Sequence, residues 1–411
     1  MFNSPTQMEP LFPTARAEQL ADLAVELVRQ SAALGSRLRG PTREAVITLL
    51  RQMNSYYSNL IEGHHTQPID IERAMKQEYA EEPAKRLLQF ESKAHIEVQE
   101  LIEAQLEKSP DINICSPQFL TWIHRIFYER MPAEFRWITD KDEKERHEIV
   151  PGELRNREVV VGRHVPPTFT AVNAFLERFA TAFDPARLGR VPRVVAAAAS
   201  HHRFAWIHPF LDGNGRVTRL FTHAYLIKAG VDGHRLWMVS RGFARRRDEY
   251  IAALVGADAP RKSDHDGRGN LSDEGLSQFC DFFLQTALDQ VAFMGGMLEL
   301  DRLENRITAY IERRATLNEI DPAGAFLLRD VLLRGEVARG EASRITGKPE
   351  RTARRIVNTL LEENLLTSET PKGPLRIGFP TKVVGYYFPR LYPEGVEHDI
   401  EATTSNKRFR L

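Results

Sequence analysis

The run His208-Pro209-Phe210-Leu211-Asp212-Gly213-Asn214-Gly215-Arg216-Val217-Thr218-Arg219 gathers the residue types that phosphoryl or nucleotidyl transfer requires. Histidine, with an ordinary pKa of about 6.5, is the natural general base near neutrality, which makes His208 the candidate for taking a proton. Asp212 is acceptor-only and suits a Mg2+ ion that bridges phosphate oxygens. Gly213 and Gly215 bracket Asn214; glycine tolerates positive φ and lets backbone N–H groups approach a ligand, as an anion nest needs. Arg216 and Arg219 stand three apart, so they share a helical face away from the apolar stripe and can both reach a polyphosphate. Each feature alone is a common surface motif. Base, metal ligand, nest and cationic clamp together point to chemistry.

Holding these groups in place takes a bend and then a helix. Pro209 removes a backbone donor and ends any helix that runs through Trp206-Ile207. Beyond Gly215, the residues Val217, Leu220, Phe221, Ala224 and Tyr225 recur at helical spacing, and Lys228 with Gly230 supplies the stop. A phosphate in front of this helix meets unpaired N–H groups and the positive end of a dipole. A second helix is expected from about Thr42 to Glu62, through Val46, Leu49, Leu50, Met53 and Tyr57, stopping at Gly63. Its end is chemically odd. Glu62 places a carboxylate at the negative end of a dipole, where a cation would be favoured by ~0.3–1 kcal/mol, so it is better placed if a cation pairs with it.

The first run matches the His-Pro-Phe-x-Asp-Gly-Asn-Gly-Arg-x-x-Arg signature of Fic (fido) domains, which are mostly protein adenylyltransferases, and the chain resembles that family over roughly residues 40 to 300. The resemblance implies that His208 deprotonates a target hydroxyl, that Asp212 holds Mg2+, and that ATP phosphates lie on Gly213, Asn214 and Gly215. It implies nucleotide contacts along Arg216, Val217, Thr218 and Arg219, with Arg219 as the γ-phosphate arginine. Ser58-Asn59-Leu60-Ile61-Glu62-Gly63 is similar to the family's inhibitory motif, in which Glu62 would pair with Arg219; Ser58, Glu62 and Gly63 are its fixed positions. The segment from Leu154 to Pro167 resembles the family's flap, with Val160 and Val161 lining the nucleotide pocket, and Tyr250 resembles a tyrosine that approaches the base or ribose. The expected fold is mainly α, a Fic-type helical bundle with a β-hairpin flap. AMP transfer from ATP to a Ser, Thr or Tyr hydroxyl, held off by Glu62, is the expected activity. Removal of AMP, and a nucleotide-sensing DNA-binding regulator, are the alternatives.

The remaining sequence bounds these expectations. A chain of 411 residues is long for one core. The residues 1–110 are expected to form an N-terminal helical region, 111–300 the catalytic core, 301–395 a winged helix-turn-helix domain and 396–411 a disordered tail. Lysine plus arginine balance aspartate plus glutamate at 56 each, so no global field draws the chain to nucleic acid or anionic membrane. The two cysteines, Cys115 and Cys280, suggest neither a disulfide framework nor a zinc site. No apolar leader or membrane-length run occurs, and a cytoplasmic protein is expected. Kinase-type Gly-rich loops and the P-loop pattern are absent.

Other expected elements include a strand at Glu158–Gly162, a mobile polar loop from Gly256 to Glu274 and one helix over 276–314, broken near Gly295-Gly296. From Gly324 come short helices, a turn at Gly347-Lys348-Pro349 and a hairpin, an order that resembles a winged helix. Its third helix would show Arg351, Arg354 and Arg355 to solvent, the side chains a DNA reader uses. The expected partners are therefore ATP, a protein substrate that could be the chain itself, a second copy in a homodimer, and DNA at those arginines.

Overall fold

The periodic stretches fold as helices whose limits follow proline, glycine and capping residues. The computed structural model describes residues 2–38, 40–139 and 145–393, and the tail expected to be disordered, 396–411, lies outside them. Helix α1 spans Ala17–Gly35 and α2 spans Gly40–Ile61. Two helices follow, α3 (Pro68–Met75) and α4 (Pro83–Lys108); Gln77 takes φ 62° between them and Pro83 is preset for a first helical turn. Helix α5 (Pro117–Glu129) is capped by Ser116, whose hydroxyl accepts from the Phe119 N–H.

A hairpin that sequence patterning does not announce comes next. Strand β1 (Trp137–Thr139) pairs antiparallel with β2 (Arg146–Glu148), Trp137 opposite Glu148, and the Arg146 guanidinium lies over the Trp137 ring. Three-residue strands with exposed ends carry no apolar alternation to read. Helices α6 (Val172–Phe183), α7 (Arg190–Ile207), α8 (Asn214–Ala229), α9 (Val239–Arg245), α10 (Arg247–Asp258), α11 (Asp273–Met297) and α12 (Leu300–Thr316) follow. The break between α11 and α12 falls at Leu298, not at Gly295-Gly296, because buried Met294 and Leu298 anchor the last turn. The polar loop before α11 is braced by Asp266, which accepts from the N–H groups of Lys262 and Glu274.

The last elements are α13 (Gly324–Arg334), β3 (Glu336–Val337), α14 (Ala342–Thr346), α15 (Glu350–Glu362), β4 (Leu366–Thr367), β5 (Leu375–Ile377) and α16 (Thr381–Tyr387). Strand β5 is central: β3 and β4 both pair antiparallel with it, Glu336 opposite Arg376 and Leu366 opposite Ile377. Helix α15 buries Ala353, Ile356, Val357 and Leu360 and leaves Arg351, Arg354, Arg355 and Asn358 exposed.

Helix α8 is the inner element, packed by α7, α4 and α5. Its Val217, Leu220, Phe221 and Tyr225 are wholly buried, and each such large apolar side chain contributes ~1.5–3 kcal/mol through its removal from water. Helix α2 packs on α4 and α9, which brings its last turn to the start of α8. The chain is therefore a mainly helical protein in which two helix ends meet: the N-terminus of α8 and the C-terminus of α2. The N-terminal arm is tied down as well, since buried Arg203 on α7 donates twice to the Pro10 carbonyl.

Candidate active site

The loop between α7 and α8 is locked before any ligand arrives. His208 ends α7 in the left-handed region at φ 48°, a conformation that costs a non-glycine residue of order 1 kcal/mol and persists where neighbours over-determine it. One such neighbour is Arg155, nearly fully buried, whose Nε donates to the His208 carbonyl at 2.9 Å while its Nη2 donates to the Pro167 carbonyl. The Asn214 amide closes the loop from the other end: its Oδ1 accepts from the Phe210 N–H and its Nδ2 donates to the Phe210 carbonyl, both at 2.9 Å. Phe210 itself is buried, with its ring stacked on His124 at 4.0 Å. Gly213, at φ 78°, has no substitute, because a Cβ there would also stand 2.8 Å from the Tyr128 ring and hydroxyl.

Burial pushes the His208 imidazole down to about 4, helped by the charges of His164 and Arg155, so the ring is neutral at physiological pH. The Ala205 backbone and the Asp212 charge work against this fall without reversing it. Asp212 moves the other way from its burial: desolvation raises its pKa, but the Arg216 charge, the Tyr128 hydroxyl and the Gly213 N–H together hold it below the ordinary carboxylate value. The Tyr128 hydroxyl donates to Asp212 Oδ2 at 2.5 Å. Among the described residues, no group of three or more His, Cys, Asp or Glu side chains could hold a metal by itself. Asp212 nonetheless fits Mg2+, since an ionised carboxylate has lone pairs left after one such bond and this ion takes its remaining oxygens from phosphate and water.

Both signature arginines are buried and already paired. Arg216 Nη1 donates to Glu91 Oε1 on α4 at 2.7 Å, and its Nη2 lies 3.6 Å from Asp212. The other Glu91 oxygen meets His64 Nδ1 at 2.8 Å. Arg219 is held by α2: its Nε donates to the Ser58 hydroxyl at 2.9 Å, and its Nη2 to the Ser58 carbonyl at 3.1 Å and to Glu62 Oε1 at 2.5 Å.

The end of α2 explains how Glu62 gets there. The His64 N–H bonds the Asn59 carbonyl and the Gly63 N–H bonds the Leu60 carbonyl, with Gly63 at φ 86°, which is a Schellman stop with Glu62 as the capping residue. Arg247 adds a donor to the Ile61 carbonyl, so cations meet the negative end of the dipole from two sides. The Glu62 carboxylate lies over the first turn of α8, so close that a Cβ on Gly215 would be 2.2 Å from Oε1. It therefore sits before N–H groups that have no partner within their helix. Burial raises the Glu62 pKa, and the charges of Arg219 and Arg216 more than reverse that, leaving it lowered.

The remaining expected site residues distribute unevenly. Val160 and Val161 are exposed, on a segment whose one ladder contact is the Val161–His164 bridge, so the flap is a tight turn and not a full hairpin. His164 pins that turn to α7 by a 2.8 Å contact with the Trp206 carbonyl. Val217 and Thr218 turn their side chains inward: Val217 is core, and the Thr218 hydroxyl donates to the Asn214 carbonyl. The Asn214 side chain is likewise spent on the loop. Tyr250 is buried too, its ring stacked on Phe243 at 4.4 Å and its hydroxyl 2.8 Å from His201, so it packs the wall near Arg219 and offers no open stacking face. His208, Asp212, Gly213, Gly215, Arg216 and Arg219 do converge, with Ser58, Glu62 and Gly63 against them.

Sequence reasoning missed Glu91, His64, Tyr128, Arg155 and His164. A signal existed for the first: Glu91, His95, Gln99 and Glu103 recur every four residues along α4 and are all buried, a polar line on an inner helix face.

The Fic/DOC family model matches residues 114–226. A protein adenylyltransferase Fic from Nematostella vectensis is 32% identical over 186 residues, 43% of this chain and 37% of its own length. A protein adenylyltransferase Fic from Drosophila erecta is 36% identical over 101 residues, 23% of this chain and 20% of its own. The chain thus spans between a fifth and little more than a third of the length of these curated relatives. Among solved structures, a Fic family protein from Desulfovibrio desulfuricans G20 aligns with a TM-score of 0.47 at 16% identity, covering 87% of this chain and 96% of that one.

Proposed function

We infer that this chain, which carries a Fic/DOC-family domain over residues 114–226, is a protein adenylyltransferase that moves AMP from ATP to a Ser, Thr or Tyr hydroxyl and is held off by its own Glu62. One observation carries the reading: the seat for an anion at the start of α8 is taken by the chain's own anion, with Glu62 Oε1 on Arg219 at 2.5 Å and directly over Gly215. While Glu62 stays there, Arg219 is unavailable to a terminal phosphate.

With Glu62 displaced, the first turn of α8 and Arg219 would receive the phosphates of ATP. The neutral His208 would take the proton of the target hydroxyl as its oxygen bonds the α-phosphorus and the bond to the β-phosphate oxygen breaks, releasing pyrophosphate. Asp212 is the residue that would hold Mg2+, whose chemistry there is neutralisation of phosphate charge. Tyr128 and Arg216 orient Asp212, and Arg155 fixes the backbone of His208. Positioning and charge neutralisation would supply most of the rate.

The test is labelling by ATP carrying 32P at the α-phosphate, on the purified full chain alone and with cell lysate. Glu62→Gly is expected to raise label well above wild type, and adding His208→Ala to remove it by ~10²–10⁴-fold, the size of a general base. Absence of label in every variant would overturn the reading and favour removal of AMP or nucleotide sensing.

A further inference from the structure

We infer that residues 388–392 act as a strap that positions Glu62 on Arg219, so that this short segment after α16 sets the strength of the Glu62 block. The inference rests on Glu62 being inhibitory.

Helix α2 is gripped at both ends by the C-terminal part of the chain. At its start, the Thr42 hydroxyl donates to the Leu332 carbonyl at the end of α13, at 3.0 Å. Near its finish, the Tyr57 hydroxyl donates to the Leu391 carbonyl at 2.7 Å, and Tyr56 meets Tyr392 edge-on with ring centres 5.2 Å apart. Leu391 and Tyr392 are each 1% exposed, so the strap is seated and not merely draped over the surface. It is anchored from α9 as well: Arg241 donates to the Arg390 carbonyl at 2.7 Å, and its guanidinium lies 3.7 Å from the centre of the Phe293 ring. Tyr387, just before it, packs edge-on to Tyr310 of α12.

The residue after Tyr57 is Ser58, which holds Arg219 through both its hydroxyl and its carbonyl. Tyr56, Tyr57 and Ser58 thus form one continuous hinge point: two residues receive the strap and the third receives the arginine. An α-helix moves as a rigid unit, and Glu62 lies about 7.5 Å further along the same axis at 1.5 Å per residue. A shift of about 1 Å at Tyr57 is carried to Glu62, and a hydrogen bond lengthened by that much is lost. The pair itself is a soft target, because the Glu62 side chain is 34% exposed and an ion pair with a wet partner is weak alone. A strap that biases the position of α2 therefore decides how often the seat is open.

The experiment compares initial self-labelling rates from α-32P ATP for the full chain carrying Tyr392→Ala or Tyr57→Phe, each with and without Glu62→Gly, with melting temperatures to establish folding. Both strap variants are expected to label about five- to tenfold faster than wild type, by the arithmetic of a shifted two-state population. In the Glu62→Gly background they are expected to change nothing, since the seat is already empty. An unchanged rate in folded strap variants, while Glu62→Gly labels strongly, overturns the strap and leaves the function intact. An equal change in both backgrounds also overturns it, because the effect then bypasses Glu62. If Glu62→Gly labels no faster than wild type, the inhibitory reading fails and the strap falls with it. Should Tyr392→Ala not fold, Tyr57→Phe, which deletes one oxygen atom, decides the question alone.

Discussion

Arg216 and Arg219 stand about one turn apart on the same helix, each against a glutamate, and the two pairs behave as different kinds of object. Glu91 comes from the interior of α4 with its side chain 4% exposed, and both its oxygens are engaged, one by Arg216 and one by His64. Glu62 comes from the capped end of α2 with its side chain 34% exposed, and a single oxygen makes the contact. The separations, 2.7 and 2.5 Å, give no hint of this difference. Access to water does. A carboxylate that can be rehydrated is free to leave when another anion competes for its arginine, whereas a buried one has nowhere better to go. By this criterion the first pair is a fixture and the second, on the proposed function, a switch.

The comparison breaks most visibly if the fixture is cut. Glu91→Gln leaves the Arg216 guanidinium buried with only the more distant Asp212, and breaking a buried pair on one side costs ~3–5 kcal/mol. Urea denaturation should register that loss, and Glu62→Gln should cost at most about 1 kcal/mol in the same titration, as befits a partly hydrated pair. Equal losses at the two positions would erase the distinction between fixture and switch.

Much of this division was legible in the sequence. The bend at Pro209, the helix after Gly215 and the stop at Gly63 are local signals, set by φ preferences and helical spacing, and they appear where patterning places them. Glu62 could be suspected because a carboxylate at a helix C-terminus asks for a cation. The apolar face of α8, Val217 through Tyr225, was legible, but the burial of its charged face as well was not. Arg216 and Arg219 read as an exposed pair because charge on a helix is usually solvated, and only the polar line along α4 and the last turn of α2 make their burial affordable. A motif written as a string does not say which of its side chains turn to the core, as those of Val217 and Thr218 do. Tyr128 and Arg155 lie far from the signature in sequence and meet it only through packing of α5 and the flap segment.

Gly215 sharpens the comparison through a reversal of sign. A Cβ at this position would fall 2.2 Å from Glu62 Oε1, and its next contact is the Arg219 Nη1 at 3.1 Å, the end of a flexible side chain. Gly215→Ala in the wild-type chain should therefore destabilise by ~1–3 kcal/mol, as overpacking does. In the Glu62→Gly background the clash is gone, and the better helix propensity of alanine should stabilise by up to about 1 kcal/mol. Thermal melts of the four chains measure both values, and a loss of the same size in both backgrounds would mean that Glu62 is not the atom in the way.

The smallest effect separates the two pairs by pH. The hydrogen bond to Glu91 raises the His64 pKa above its ordinary 6.5, so the stability it supplies is complete below about pH 6.5 and fades as pH rises through the raised value. The Glu62 pKa is lowered from 4.5 because the charges of Arg219 and Arg216 outweigh its burial, so its contribution is present above about pH 4.5 and fades as pH falls through the lowered value. Alkali thus loosens the fixture's outer member, while acid loosens the switch. His64 is about a third exposed, so its share should stay below about 1 kcal/mol and shrink further with added salt. Denaturation midpoints of wild type and His64→Gln should therefore converge between pH 6.5 and 9, and two parallel curves would show that the imidazole contributes nothing to holding Glu91 in place.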